Sequence, residues 1–213
     1  MRAFVAVTVP PKVVDVLAAM ERPAFDNLRW TTPEQWHVTL RFLGEIPDAV
    51  SVGRALESVP GALASTLRAR PRVVPGAGGA IAAGEPAAGV AAGEAAAGVA
   101  AGEPATGIVA ELGPVTAWFP GRRVLQVAVA GLDALAQAVT DATEPFGTTE
   151  DARRPFVGHL TLARVRGSRP GPGRLAGLPV HAAWSVGHVV LMGSTLGPGG
   201  ARYQTLATVA LAP

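Results

Sequence analysis

The chain contains no cysteine, which removes disulfides, thiolate zinc centres and cysteine nucleophiles together. Lys12 is its sole lysine, so positive charge rests almost wholly on arginine. Arginine's planar fork suits phosphate better than a point charge does, although the same bias also arises from genome composition without functional meaning. No apolar run reaches the roughly 18 residues that a membrane helix needs. The N-terminus, MRAFVAVTVPPK, alternates like a strand and then meets two prolines, unlike a secretory leader. These absences lead to the expectation of a cytoplasmic protein that makes no membrane contact.

What is present is enough for folding. At 213 residues and 49% hydrophobic content, the chain can bury one good core or two small fused lobes. Its main irregularity is a nine-residue unit written three times at 82–108, as AAGEPAAGV, AAGEAAAGV and AAGEPATGI. The unit has no large side chain with which to build a core, and it lacks the paired glycines and aspartate of a calcium-binding nonapeptide. We read it as a tolerated loop expansion at about 76–111 within one two-lobed domain spanning 1–213. Deleting 82–108 is expected to leave activity largely intact, as a turnover assay on a folded deletion variant would check. Three of the sixteen acidic residues, Glu85, Glu94 and Glu103, fall in this segment, so the remainder is more basic than the net charge of +2 implies. A mildly basic face suits a polyanionic substrate.

Outside the repeat, two similar halves emerge. In the first, 2–9 alternates as a strand, 11–21 has helical periodicity with Pro11 at a tolerated early position, 37–43 alternates again and 48–59 is helical. A further strand is expected near 70–75. In the second half, 124–131 reads as a strand, 132–146 as a helix ended near Pro145, and 159–165, about 184–193 and 203–211 as strands. Strand, helix, strand occurs once in each half without the strict alternation of a doubly wound sheet. The expected fold class is therefore α+β, bilobal, with mainly antiparallel sheets.

The chemistry lies where the halves match. His37-Val38-Thr39-Leu40 and His159-Leu160-Thr161-Leu162 are one motif, each on an expected strand. Strand side chains alternate between faces, so His37, Thr39 and Arg41 would share a polar face, and His159 and Thr161 another. Two imidazoles with ordinary pKa values near 6.5 can divide acid and base roles at neutral pH, as in-line phosphoester cleavage requires. The threonine hydroxyls can donate to non-bridging phosphate oxygens without competing for the proton. Arg41, on the His37 face, is a further phosphate-binding candidate. Two histidines without a third histidine or a nearby carboxylate do not fill a zinc site, so no metal or other cofactor is expected.

Together with RAFVAV, TPEQWHVTLRFLG, WFPGRRVLQV, PFVGHLTLAR and the tail LMGSTLGPGGARYQTLATVAL, these motifs resemble the RNA 2',3'-cyclic phosphodiesterases, or 2'-5' RNA ligase-like proteins, of the two-histidine phosphoesterase superfamily. The resemblance spans the chain except 76–111. It implies a pseudo-twofold bilobal fold with both motifs in a central cleft. It also implies opening of the cyclic phosphate to a 2'-phosphomonoester, with His37 as proton donor, His159 as proton acceptor and RNA as partner of a monomeric protein. One departure is Gly158, where relatives commonly place proline; it is expected to free the backbone and loosen His159. A 2'-5' RNA ligase, a small nucleotide cyclic phosphodiesterase and a non-catalytic RNA-binding module are the alternatives.

Other residues are read more plainly. His181 and His188 lack a threonine partner and are taken as structural or surface residues. The doublets Arg122-Arg123 and Arg153-Arg154 are taken as solvated loop charge, and Trp118 and Phe156 as core or rim aromatics. Tyr203, the sole tyrosine, is given no role beyond a cleft contact. GPGG at 197–200 lacks the lysine and helix of a phosphate loop and reads as a hairpin turn.

Overall fold

β1 (Arg2–Thr8) is buried from Ala3 to Val7 on both faces. Val5 and Val7 join the main core, whereas Phe4 and Ala6 pack with Val190 and Met192 in a second cluster on the opposite face. A strand covered on both faces must sit inside a sheet, and β1 lies between β3 (His37–Glu45) and β8 (His188–Gly197), antiparallel to both. The structure is a computed structural model that describes residues 1–69, 107–147, 155–197 and 200–211.

The remaining strands are β2 (Leu28–Trp30), β4 (Val109–Trp118), β5 (Val124–Ala130), β6 (His159–Val165), β7 (Ala182–Ser185) and β9 (Gly200–Ala210). They form one antiparallel sheet in the order β7-β4-β5-β6-β3-β1-β8-β9, with β2 added to β6. The path has a twofold logic. Outward from the central β3–β6 contact run β1, β8 and β9 on one side and β5, β4 and β7 on the other.

The helices tie the halves together. α1 (Pro11–Ala18) starts at Pro11, where a missing N–H costs nothing, and buries Val13 and Leu17. α4 (Asp133–Ala142) buries Leu135, Ala136, Ala138 and Val139, a small-residue face that permits close approach. α1, from the first half, packs on β7 of the second, while α4, from the second half, packs on β3 of the first. One main core cluster consequently runs through both halves.

The α+β, antiparallel architecture expected from the sequence is what the structure has. The bounds of β6 match those read from the sequence. Several local readings are corrected. The single helix at 48–59 is two, α2 (Ala49–Leu56), capped by Asp48 accepting from the Ser51 N–H at 2.7 Å, and α3 (Val59–Ala69). The single strand at 184–193 is β7 and β8, broken at Val186 and Gly187. β4 begins inside the span assigned to the insertion, with Ile108, Ala110 and Leu112 buried. A deletion that spares the core should therefore end at residue 106. The expected strand near 70–75 and most of the repeat lie outside the described residues.

Candidate active site

β3 and β6 meet antiparallel at Val38 and Leu160, the second residue of each motif. An antiparallel ladder in that register sets His37 across from Thr161 and Thr39 across from His159, all four on one face. His37 and His159 are then diagonal neighbours, with Cα atoms roughly 7–8 Å apart. Both motifs line one cleft of about 740 Å³. A local twofold relation thus brings two imidazoles and two hydroxyls to one face of the cleft.

Each histidine is held differently. His37 stacks on Phe4 at 4.9 Å between ring centroids and meets the edge of Tyr203 at 4.9 Å. Its Nδ1 is buried without a hydrogen bond. Burial is the main reason its pKa falls to about 4; the Gln35 carbonyl works against the fall, and Arg164 and His159 add to it by charge repulsion. His37 is therefore neutral at pH 7. His159 bonds through Nδ1 to the Val157 carbonyl at 2.8 Å and meets Phe119 edge-on at 4.8 Å. With Nδ1–H donating to that carbonyl, Nε2 is left as the reactive nitrogen.

The segment before His37 is anchored to both halves. The Thr31 hydroxyl lies 2.9 Å from the carbonyls of both Thr161 and Leu162, and it accepts from Trp36 Nε1 at 3.0 Å. Gln35 Nε2 donates to the Ala201 carbonyl on β9 at 2.7 Å. These bonds fix where β3 begins, and with it where the His37 ring lies.

Arg41 does not reach the cleft. The β3 ladder with β1 passes from Thr39 to Arg41 while β1 advances by one residue, a bulge at Leu40. The bulge inverts the alternation, so Leu40 and Arg41 are both buried and Arg41 turns toward α4. There Nη1 donates to the Thr140 carbonyl and to Thr143 Oγ1. The cation that does line the cleft is Arg164, brought there by a matching bulge at Leu162 in the β6–β5 ladder. Sequence reading missed it, yet a signal existed. Strict alternation from His159 would have placed Ala163 in the cleft and Arg164 in the core, an arrangement whose cost itself argues for a bulge.

Arg2, Arg29 and Arg166 also line the cleft, and no Asp or Glu among the described residues does. Arg29 stands directly across from Arg164 in the β2–β6 pair. Like charges opposite one another are unfavourable, and an anion between them relieves this. Tyr203 is a cleft residue through its contacts with His37 and Phe4. Trp118 and Phe156 pack against the core, and Arg122 and Arg123 stay outside the cleft lining. Arg153 and Arg154 lie outside the described residues. His188 bonds Thr8 Oγ1 at 3.2 Å, away from the cleft, and Gly197 pairs with Gly200 across the β8–β9 hairpin. Among the described residues, no group of three or more His, Asp or Glu is arranged to hold a metal ion, and no helix is long and apolar enough to cross a membrane.

Gly158 does not loosen His159. Its carbonyl accepts from the Val129 N–H at 2.9 Å, and a Cβ there would collide with the Val129 carbonyl oxygen. The position is closed by backbone on backbone. Gly158→Ala should cost about 1–3 kcal/mol of stability, as overpacking typically does, and denaturant unfolding of the two proteins would show it.

Residues 7–72, which include the first motif, match the model of the LigT-like phosphoesterase family. The whole chain superimposes on TT0787 of Thermus thermophilus at 25% identity and a TM-score of 0.61, covering 99% of this chain and 98% of that one. Residues 7–72, about a third of the chain, thus resemble the LigT-like phosphoesterases in sequence, and the fold of the whole chain is similar to theirs. The LigT-like fold is equally evident against Escherichia coli LigT. The apo structure matches at 20% identity and a TM-score of 0.56, and the 3'-AMP complex at 20% and 0.54, each covering 100% of this chain and 98% of LigT. No curated protein matches in sequence.

Proposed function

We propose that this chain hydrolyses RNA 2',3'-cyclic phosphate ends to 2'-phosphomonoesters, acting in the cytoplasm as a monomeric two-lobed domain with no metal or other cofactor. The observation that carries the reading is the meeting of the two motifs at the Val38–Leu160 pair, which gives one phosphorus two imidazoles and two hydroxyls. His159 Nε2 takes a proton from water as its oxygen bonds to phosphorus. His37 gives a proton to the ribose 3' oxygen as the P–O3' bond breaks, leaving a 2'-phosphate and a 3'-hydroxyl. Thr39 and Thr161 donate to the non-bridging oxygens. Arg164 offsets the charge that grows on them, a role the buried Arg41 cannot take. E. coli LigT has been captured with phosphate and with 3'-AMP, which supports a phosphate-bearing nucleotide as the ligand of this chain.

The test is an RNA oligonucleotide ending in a 2',3'-cyclic phosphate, incubated with protein in the presence of chelator, followed by identification of the product isomer. The expected product is the 2'-phosphate alone. Turnover abolished by chelator, a 3'-phosphate product, or turnover confined to mononucleotides would overturn the corresponding part of the reading.

A further inference from the structure

The two bulges place different residues at equivalent positions of a nearly symmetric site. In each half the fifth residue after the motif histidine returns to the cleft, and these residues are Phe42 in the first half and Arg164 in the second. Around Phe42 the surface is aromatic and apolar. Its ring lies 6.0 Å from Phe4, which meets Tyr203 edge-on at 5.2 Å, and the ring is 57% exposed although it borders a cavity. Around Arg164 the surface is cationic, with Arg29 directly opposite on β2 and Arg166 just past the end of β6.

Resting on the function proposed above, we infer that this Phe42/Arg164 asymmetry fixes the direction in which the substrate lies. The terminal nucleobase stacks on Phe42 beside His37, and the phosphodiester of the preceding nucleotide sits between Arg29 and Arg164, whose guanidinium bridges it and the reacting phosphate. An exposed ring beside a reacting phosphate is a stacking platform that tolerates any base, because every base has a π-face. Two guanidinium groups held opposite one another, with no carboxylate in the cleft lining among the described residues, are complementary to a phosphodiester, which each can grip with paired N–H donors. Gly200, at φ 98°, leaves room for the Arg29 guanidinium, since a Cβ there would collide with it. The twofold relation by itself would let a cyclic phosphate bind in two orientations, exchanging the histidines' roles. The Phe42/Arg164 difference selects one.

The experiment measures dissociation constants by calorimetry, so it needs no turnover. Three probes are used: inorganic phosphate, a nucleoside 2'-monophosphate, and a trinucleotide ending in the same 2'-phosphate. Phe42→Ala should weaken both nucleotides roughly five- to hundred-fold, the worth of one base–aromatic stack, and leave inorganic phosphate unchanged; Phe42→Trp should restore binding. Arg29→Gln should weaken the trinucleotide alone and reduce the salt dependence of its binding by about one phosphate contact. The inference is overturned if Phe42→Ala leaves nucleotide affinity intact, or if Arg29→Gln weakens the mononucleotide as much as the trinucleotide. The expected binding pattern without turnover of a cyclic phosphate would instead reject the proposed reaction and leave the orientation standing.

Discussion

Replacing His37 or His159 by alanine should lower turnover of a 2',3'-cyclic phosphate by roughly 10²–10⁴-fold each, the usual worth of one positioned acid or base. Neither change should unfold the protein, because neither ring belongs to the main core cluster. The double variant should lose much less than the product of the two single losses, since an acid and a base that act on one phosphorus form a unit. Thr39→Ala and Thr161→Ala should fall well short of the histidine effects, because arginine charge still faces the phosphate when one hydroxyl is lost. Single-turnover kinetics on the four single variants and the double would display this ranking. Equal losses at all four positions would mean that the site only binds phosphate.

The second large effect is in the pH dependence. His37 has a pKa of about 4, chiefly through burial. A donor must carry its proton, and the pH profile of kcat/KM reports the free enzyme. In the wild type the growing fraction of deprotonated base offsets the shrinking fraction of protonated donor, so the donor is read in His159→Ala: if His37 is the donor, the residual kcat/KM of that variant should fall about tenfold per pH unit above pH 4, until another group or step takes over. The profile of kcat reports the complex, where a bound phosphate anion favours the charged imidazole and raises the His37 pKa. The optimum of kcat should therefore lie at higher pH than that of kcat/KM. A residual kcat/KM of His159→Ala that rises through pH 4 and then stays level would assign His37 as the base and His159 as the acid, reversing the roles implied by the resemblance.

Much of this site was legible in the sequence because strands write their faces with a period of two. That period put His37 with Thr39 and His159 with Thr161, and the repetition of the motif marked both strands as one kind of element. The same rule failed at Arg41 and Arg164 for a single reason. A bulge adds one residue to a strand without changing its composition, and every position beyond it changes face. Short elements failed differently. β2 has three residues, too few for a pattern, yet it contributes Arg29 and leads into the Thr31 bond that anchors β6. The break between β7 and β8 is two residues of an otherwise continuous apolar stretch. β4 was hidden because its first residues adjoin the repeat, whose composition resembles no strand.

Gly158 shows why a local rule needs its surroundings. Glycine is free in an isolated chain, and its freedom suggested a loose His159. In the folded protein the Val129 carbonyl occupies the place a side chain would take, so the residue is required by crowding.

The account stands on two imidazoles flanking one phosphorus, and a crystal structure with vanadate, which adopts the five-coordinate geometry of an in-line displacement, tests this most directly. Vanadate should lie between the rings, with Nε2 of His37 and of His159 each about 2.6–3.2 Å from opposite apical oxygens and the hydroxyls of Thr39 and Thr161 on the equatorial ones. Vanadate held by one histidine alone, or by Arg29 and Arg164 with the imidazoles turned aside, would contradict it.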